Sequence, residues 1–520
     1  MLRTPRMLLR LLRIARILAR HDALAAIEDL GIAPGLCWLA RLGSRRHVAG
    51  RPGERLARAL TELGPSFIKL GQFLSTRADL LGEQLAADLS ELQDALPPFA
   101  AAEARATIEA ELDAPVATLF TRFDDTPISA ASIAQVHFGT VTDTQNGTET
   151  GTETDVAIKV LRPGIERAFA RDLELLYWLA RLIERTQPRL RRLKPVAAVH
   201  LFEETVRIEM DLRMEAAAAS ELADNFADDE TYRVPPVDWE RTSRRVLTMG
   251  RVAGVPMDDR AALIAAGHDL TEVLTKAAAI FFNQVFRDGF FHGDQHPGNM
   301  LVDADGAIVA VDFGIMGRVD HKTRAYLADM LVAVLARDYR RLAEVHVEAG
   351  YLPAGTALDI FAQALRSLAE PIIDRPLQEI SFARLLARLL HLSESFAMPV
   401  QPQLLLLQKN MMMAEGISRR LDPNLNIWTL SEPLAQTWMR EHRGPEARVR
   451  RAGRDLAAAL ERLPTLLDNV ERVAGDLAAG GLRLHPESAQ TLTGRGERAA
   501  RWALWIAIAA LAVAVAVAVS

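Results

Sequence analysis

"FFHGDQHPGNMLV", Phe290–Val302, sets His292, Asp294, His296 and Asn299 within eight residues, between apolar flanks. These residue types admit three chemistries: a metal site, part of a hydrolase triad, or the loop of a phosphoryl-transfer enzyme. Two histidines four apart suit metal ligation when they share a helix face. Pro297 and Gly298 make this stretch a loop instead. The choice therefore rests on what surrounds it.

The chain has 520 residues and a net charge of −6, with 49% hydrophobic and 25% charged residues. That length allows two or more domains, and the composition is globular. No global basic field points to nucleic acid. The single cysteine, Cys37, excludes intramolecular disulfides and a cysteine zinc cluster. The first twenty residues carry Arg3, Arg6, Arg10, Arg13, Arg16 and Arg20 and no acid. They read as a basic amphipathic helix for an anionic membrane surface, with Leu2, Leu9, Leu12 and Ile17 opposite the arginines. A transit peptide is the alternative, although such peptides are Ser-rich. "WALWIAIAALAVAVAVAV", Trp502–Val519, is uncharged and would reach about 27 Å as a helix, enough for a hydrocarbon core. Arg495, Arg498 and Arg501 precede it, so a C-terminal anchor with a cytoplasmic body is expected.

Residues 22–125 have helical spacing. Strand-like runs follow at Ile128–Val141 and Asp155–Gly164, joined by a polar, low-complexity stretch read as a hairpin loop. Helices resume to about Ala227. Arg244–Asp259 holds a strand, a helix runs to Arg287, and "GAIVAVDFGIMGRV", Gly306–Val319, is strand, turn and loop. Helical spacing returns from His321.

Single words in this pattern are weak, and their order is not. "VAIK" ends in Lys159. In protein kinases that strand lysine holds the α- and β-phosphates of the nucleotide. The kinase catalytic loop puts His two before Asp and Asn five after it, as His292, Asp294 and Asn299 stand here. "VDFG" then supplies Asp312, the metal-binding position. Phosphoryl transfer asks for such groups: Mg²⁺ on the phosphates, a cation, and a carboxylate near the nucleophile. Asn299 and Asp312 offer hard oxygen ligands, Lys159 the cation, and Asp294 the carboxylate.

From Glu62 to about Asn424 the sequence resembles the UbiB family of atypical kinases, the AarF-domain proteins. "LGPSFIKLGQFLSTRADLL" resembles its KxGQ signature, at Lys69, Gly71 and Gln72. "AASIAQVH" resembles its alanine-rich loop, at Ala130, Ala131, Ser132 and Ala134. "EMD" resembles its ExD motif, at Glu209 and Asp211. Gly293 and Gln295 stand where family members often carry Ala and Pro. The resemblance implies an α+β, protein-kinase-like two-lobed fold with an N-terminal helical extension, C-terminal helices and a transmembrane anchor. The boundaries expected are 1–21, 22–125, 126–254 (small lobe), 255–430 (large lobe), 431–500 and 502–519. It implies ATP or ADP and Mg²⁺ as ligands, a nucleotide-contacting alanine loop, and a hinge at Leu247–Gly254, Met249 included, whose backbone meets adenine. Alanine lacks glycine's freedom at positive φ, so this loop should be stiffer than a Gly-rich one.

Ordinary kinases would pair Lys159 with the next helix, at Glu174; the resemblance points to Glu215 instead, and pairs Lys69 with Glu209. Asp211 and Glu215, four apart, share a face of an unbroken helix, whereas Glu209 and Asp211 diverge by about 200°. Asp211 and Glu215 are therefore expected to face the nucleotide. The implied function is a membrane-associated kinase or ATPase supporting ubiquinone biosynthesis in a bacterial-type inner membrane. Its implied partners are membrane lipids and quinone precursors or their enzymes, with no nucleic acid and dimerisation left open. The alternatives are a nucleotide-binding pseudokinase scaffold or lipid chaperone, and a quinone-ring hydroxylase, for which no dinucleotide fingerprint is present.

Overall fold

The computed structural model describes chiefly residues 5–23, 49–75, 96–145, 148–187, 194–353, 355–373 and 402–422, with isolated positions between. All belong to the first of two compact units, Met1–Trp438. In chain order the helices are α1 (Pro5–Arg20), α2 (Pro52–Leu63), α3 (Pro65–Ser75), α4 (Ala101–Leu112) and α5 (Val116–Leu119). Strands β1 (Arg122–Phe123), β2 (Ser129–Ala130), β3 (Ala134–Gln145) and β4 (Thr148–Leu161) follow. Next come α6 (Ile165–Thr186), α7 (Pro195–Glu209), α8 (Leu212–Asn225), β5 (Tyr232–Arg233), β6 (Val246–Gly250) and β7 (Val255–Pro256). Then come α9 (Arg260–Ala265), α10 (Leu270–Phe282), β8 (Phe290–His292), β9 (Met300–Val302), β10 (Ile308–Ala310) and β11 (Met316–Arg318). Last are α11 (His321–Leu335), α12 (Tyr339–Glu348), α13 (Leu358–Ile373) and α14 (Pro402–Leu421).

The first sheet runs β1-β3-β4-β6, with β2 on β3, and is antiparallel throughout. Alternation along β4 decides its faces. Val156, Ile158 and Val160 are buried against Ile108 and Val246. Lys159 consequently points from the other face. The polar stretch expected as a loop differs from expectation. Thr142–Gln145 and Thr148–Thr154 continue the ladder, closing at Gln145↔Thr148 after a register shift near Thr144. Threonine-rich backbone around Asn-Gly favours a long hairpin over a loop.

A second sheet, β5-β10-β9-β7, and the short pair β11-β8 carry the loop motifs. Aspartates start the helices around them: Asp259, Asp269 and Asp320 each accept a backbone N–H of the first turn. The expected helix to Arg287 ends as a π-helix, Asn283–Asp288. Gly289, at φ +69°, then turns the chain into β8; a Cβ there would lie 2.4 Å from the Val319 carbonyl oxygen. Ile417 and Leu421 of α14 join the main core with Met257, Ile280 and Met300.

The N-terminal helix is docked more firmly than an interfacial helix would be. Ile17 and Leu18 pack with Leu56, Leu60 and Phe67, and Arg10 forms a bidentate pair with Asp172 of α6. Leu9 and Leu12 stay exposed. Ile17, expected on a lipid-facing side, is in protein core because α2 and α3 supply the apolar partners. Among the described residues, no helix is long and apolar enough to cross a membrane. The expected span 502–519 and the tail 431–500 lie outside them.

Candidate active site

Four segments converge on one cleft. From β4, Lys159 Nζ lies 2.6 Å from Glu215 Oε1 on α8 and 3.4 Å from Asp312 Oδ2. Glu215 is nearly buried and also accepts the Phe313 N–H at 3.4 Å. Glu174 is exposed, away from this cluster. Asp312 Oδ1 accepts the Gly314 N–H at 2.9 Å, while its side chain stays 44% exposed toward the cleft. Burial alone would lower Lys159, but Asp312 and Glu215 outweigh it and hold the ammonium above the usual lysine range. Burial opposes the charge on Asp312 as well; Lys159 and the Gly314 N–H overcome it and keep the carboxyl well below the usual range. Glu215 goes the other way, because burial pushes it up against the pull of Lys159. One cation thus serves two carboxylates.

The loop Phe290–Val302 is braced from behind. β8 pairs with β11 at Phe291↔Gly317, where a Cβ would fall 2.1 Å from the Phe291 ring, so only glycine lets these strands meet. Gln284 Oε1 accepts the His292 N–H at 3.0 Å. The His292 ring is fully engaged: Nδ1 accepts the Asp294 N–H at 3.1 Å and Nε2 donates to the Asp312 carbonyl. Burial lowers its pKa, which keeps the ring neutral. His296 Nδ1 accepts the Gly298 N–H at 3.1 Å, capping a short 3₁₀ turn. Both histidines are thus committed to the backbone, and no group of three metal-ligating residues occurs among the described residues.

Asn299 donates from Nδ2 to the Asp294 carbonyl at 3.1 Å, which leaves its Oδ1 without a hydrogen-bond partner among the described residues. Its backbone carbonyl accepts the Val311 N–H, where β9 and β10 end side by side. The Asn299 amide oxygen and the Asp312 carboxylate are hard-oxygen donors of the kind Mg²⁺ takes. The donor chemistry therefore fits the metal.

Sequence reasoning missed the other side of the loop. Lys409 Nζ of α14 lies 2.7 Å from Asp294 Oδ1. Its neighbour Asn410, fully buried, donates to the His292 carbonyl and accepts the Gln295 N–H at 3.4 Å. "LLLLQKNMMM", Leu404–Met413, held the signal: a charged residue and an amide inside a Leu/Met run. Gln284, buried in an aromatic helix, is a third such residue.

The remaining expectations divide. Lys69 of α3 meets Glu209 at the end of α7, 2.9 Å apart and both 11% exposed. Its charge is also felt at Lys159 and Asp312. Gln72 follows one turn later on α3, half-buried. Asp211 departs from expectation. The helix breaks at Met210, and Asp211 caps α8, accepting the Arg213 N–H at 3.2 Å and pairing with its guanidinium at 2.7 Å. An aspartate at a helix start satisfies orphan N–H groups, and here both carboxylate oxygens are engaged by Arg213. In the alanine loop, Ser132 and Ala134 are buried, the Ser132 hydroxyl without a hydrogen-bond partner among the described residues; Ala130 and Ala131 are half-exposed. Arg162 holds the Ala131 carbonyl at 3.0 Å. Met249 differs too. Its side chain is buried, and it sits between Ala157 of β4 and a bridge to Val237, so its backbone belongs to the sheet.

This geometry is that of a kinase-like cleft, and comparison with known proteins agrees on the family. Residues 91–346 match the ABC1 atypical kinase-like domain, and 365–426 the UbiB helical domain. Proteins called "Probable protein kinase UbiB" are similar over most of their length. That of Marinobacter nauticus is 41% identical over 467 residues, 88% of this chain and 83% of that one. That of Azotobacter vinelandii is 41% identical, covering 90% and 88%. A solved Mycobacterium tuberculosis structure, the complex of Rv3197 with erythromycin, is 25% identical at TM-score 0.48, covering 72% of this chain and 93% of that one. The chain belongs to the UbiB family of ABC1 atypical kinases. Lys409 and Asn410 fall within the helical domain that distinguishes it.

Proposed function

We propose that the chain binds Mg-nucleotide in this cleft and transfers or hydrolyses its terminal phosphoryl group, in support of ubiquinone biosynthesis at a bacterial inner membrane. The observation that carries this reading is Lys159 held between Glu215 and Asp312, next to the Asp294–Asn299 loop. Lys159 would hold the α- and β-phosphates, fixed in place by Glu215. Asp312 and the free oxygen of Asn299 would hold the metal, which supplies charge neutralisation on the phosphate oxygens. Asp294 would orient the acceptor hydroxyl or water and take its proton. The Ala131 carbonyl, tied by Arg162, supports a stiff loop over the phosphates. Membrane lipids, quinone precursors and their enzymes are the partners consistent with the family and with the apolar 502–519 segment.

The test is Mg-dependent ATP turnover and nucleotide binding by the purified protein, beside Asp312→Asn, with and without lipid vesicles and polyprenyl-phenol precursors. Turnover that survives Asp312→Asn unchanged would sink the reading.

A further inference from the structure

We propose that Lys409 is a positioning residue for phosphoryl transfer: its ammonium fixes the Asp294 carboxylate in the orientation in which it meets the acceptor. This rests on the phosphoryl-transfer reading above. Three observations support it. The loop from Phe290 to Val302 contains no lysine or arginine of its own. Lys159, the inner cation, is already shared by Glu215 and Asp312. Lys409 reaches Asp294 from another domain, yet its position is set by the next residue, since Asn410 bonds the loop backbone on both sides of Asp294.

Stability alone does not account for the pair. Lys409 and Asp294 side chains are 30% and 28% exposed, where an ion pair contributes about 0–1 kcal/mol. α14 is already fastened by Asn410 and by Ile417 and Leu421 in the core. Orientation gives the pair a purpose. During transfer the acceptor oxygen bonds to the γ-phosphorus. The bond from that phosphorus to the bridging oxygen breaks, and its electron pair leaves with ADP. The acceptor proton passes to the Asp294 carboxylate, whose placement Lys409 fixes at Oδ1.

The experiment measures kcat and KM of Mg-ATP turnover, and Mg-ATP binding, for wild type, Lys409→Met, Lys409→Arg and Asp312→Asn. Lys409→Met should lower kcat ~100-fold, the scale of a misplaced catalytic group, while KM and nucleotide affinity stay within ~3-fold. Lys409→Arg should restore part of kcat. Lys409→Gln serves as a second neutral variant should the Met protein fail to fold. If Asp312→Asn abolishes turnover while the neutral variants keep wild-type kcat, the role of Lys409 is overturned and the phosphoryl-transfer reading stands. Absence of turnover in wild-type protein would overturn both.

Discussion

Two lysines meet carboxylates in this cleft, and they do so under opposite conditions. Lys159 is 15% exposed, sits on the middle strand of a sheet, and is surrounded by two acids and a backbone N–H that serves each of them. Lys409 is twice as exposed, projects from a helix of another domain, and touches one acid. Burial makes the Lys159–Glu215 pair energetically rigid, because removing either partner leaves an uncompensated charge; Asp312 is the open member of that cluster. The second pair sits in water's reach and can be broken cheaply. The Lys159–Glu215 pair is thus built to hold, and the Lys409–Asp294 pair to exchange.

That contrast sets an order of expected effects. Asp312→Asn should be the most damaging: loss of Mg-dependent nucleotide binding and a fall in turnover of ~10³-fold or more, by the role of metal-held phosphate charge. Comparable activity in isothermal binding and phosphate-release assays would break the comparison. Glu215→Gln should follow, with turnover down ~10–100-fold as Lys159 loses its closest acceptor and shifts toward Asp312. Asn410→Ala should cost about 1–3 kcal/mol in chemical denaturation, because it strips two hydrogen bonds from a buried loop. It should also raise hydrogen exchange at Gln295. Lys69→Ala should cost about 1–3 kcal/mol, leaving Glu209 half-buried without its cation.

pH provides a smaller and more distributed test. His137, His292 and His346 are all pushed down by burial. The unfolded chain therefore binds protons that the native state refuses, beginning as pH falls through the ordinary histidine value near 6.5. The melting temperature should drop steadily between about pH 7 and 5. A flat profile over that range would show that these rings protonate in place.

Much of the inner cluster was legible because its residues sit in local words with fixed spacing. Lys159 ends an alternating strand, Asp312 follows another, and Asp294 and Asn299 are five apart. The pairing of Lys159 with Glu215 rather than Glu174 came from family likeness; helix spacing alone could not choose between them. Asp211 was misplaced because a continuous helix was assumed, and a cap at Asp211 broke the phase. Met249 was misplaced because a strand's second edge, filled by Val237, leaves no mark in the strand's own sequence. Lys409 and Asn410 were missed for a related reason. They lie 115 and 118 positions from their loop partners, and only tertiary packing of an apolar helix brings them there.

The His292 ring has a mechanical consequence. One nitrogen grips the Asp294 amide and the other the Asp312 carbonyl, across 20 residues of chain. The imidazole works as a rivet, fixing the span between the Asp294 and Asp312 segments. Under the proposed phosphoryl transfer, an acceptor would have to fit that fixed span.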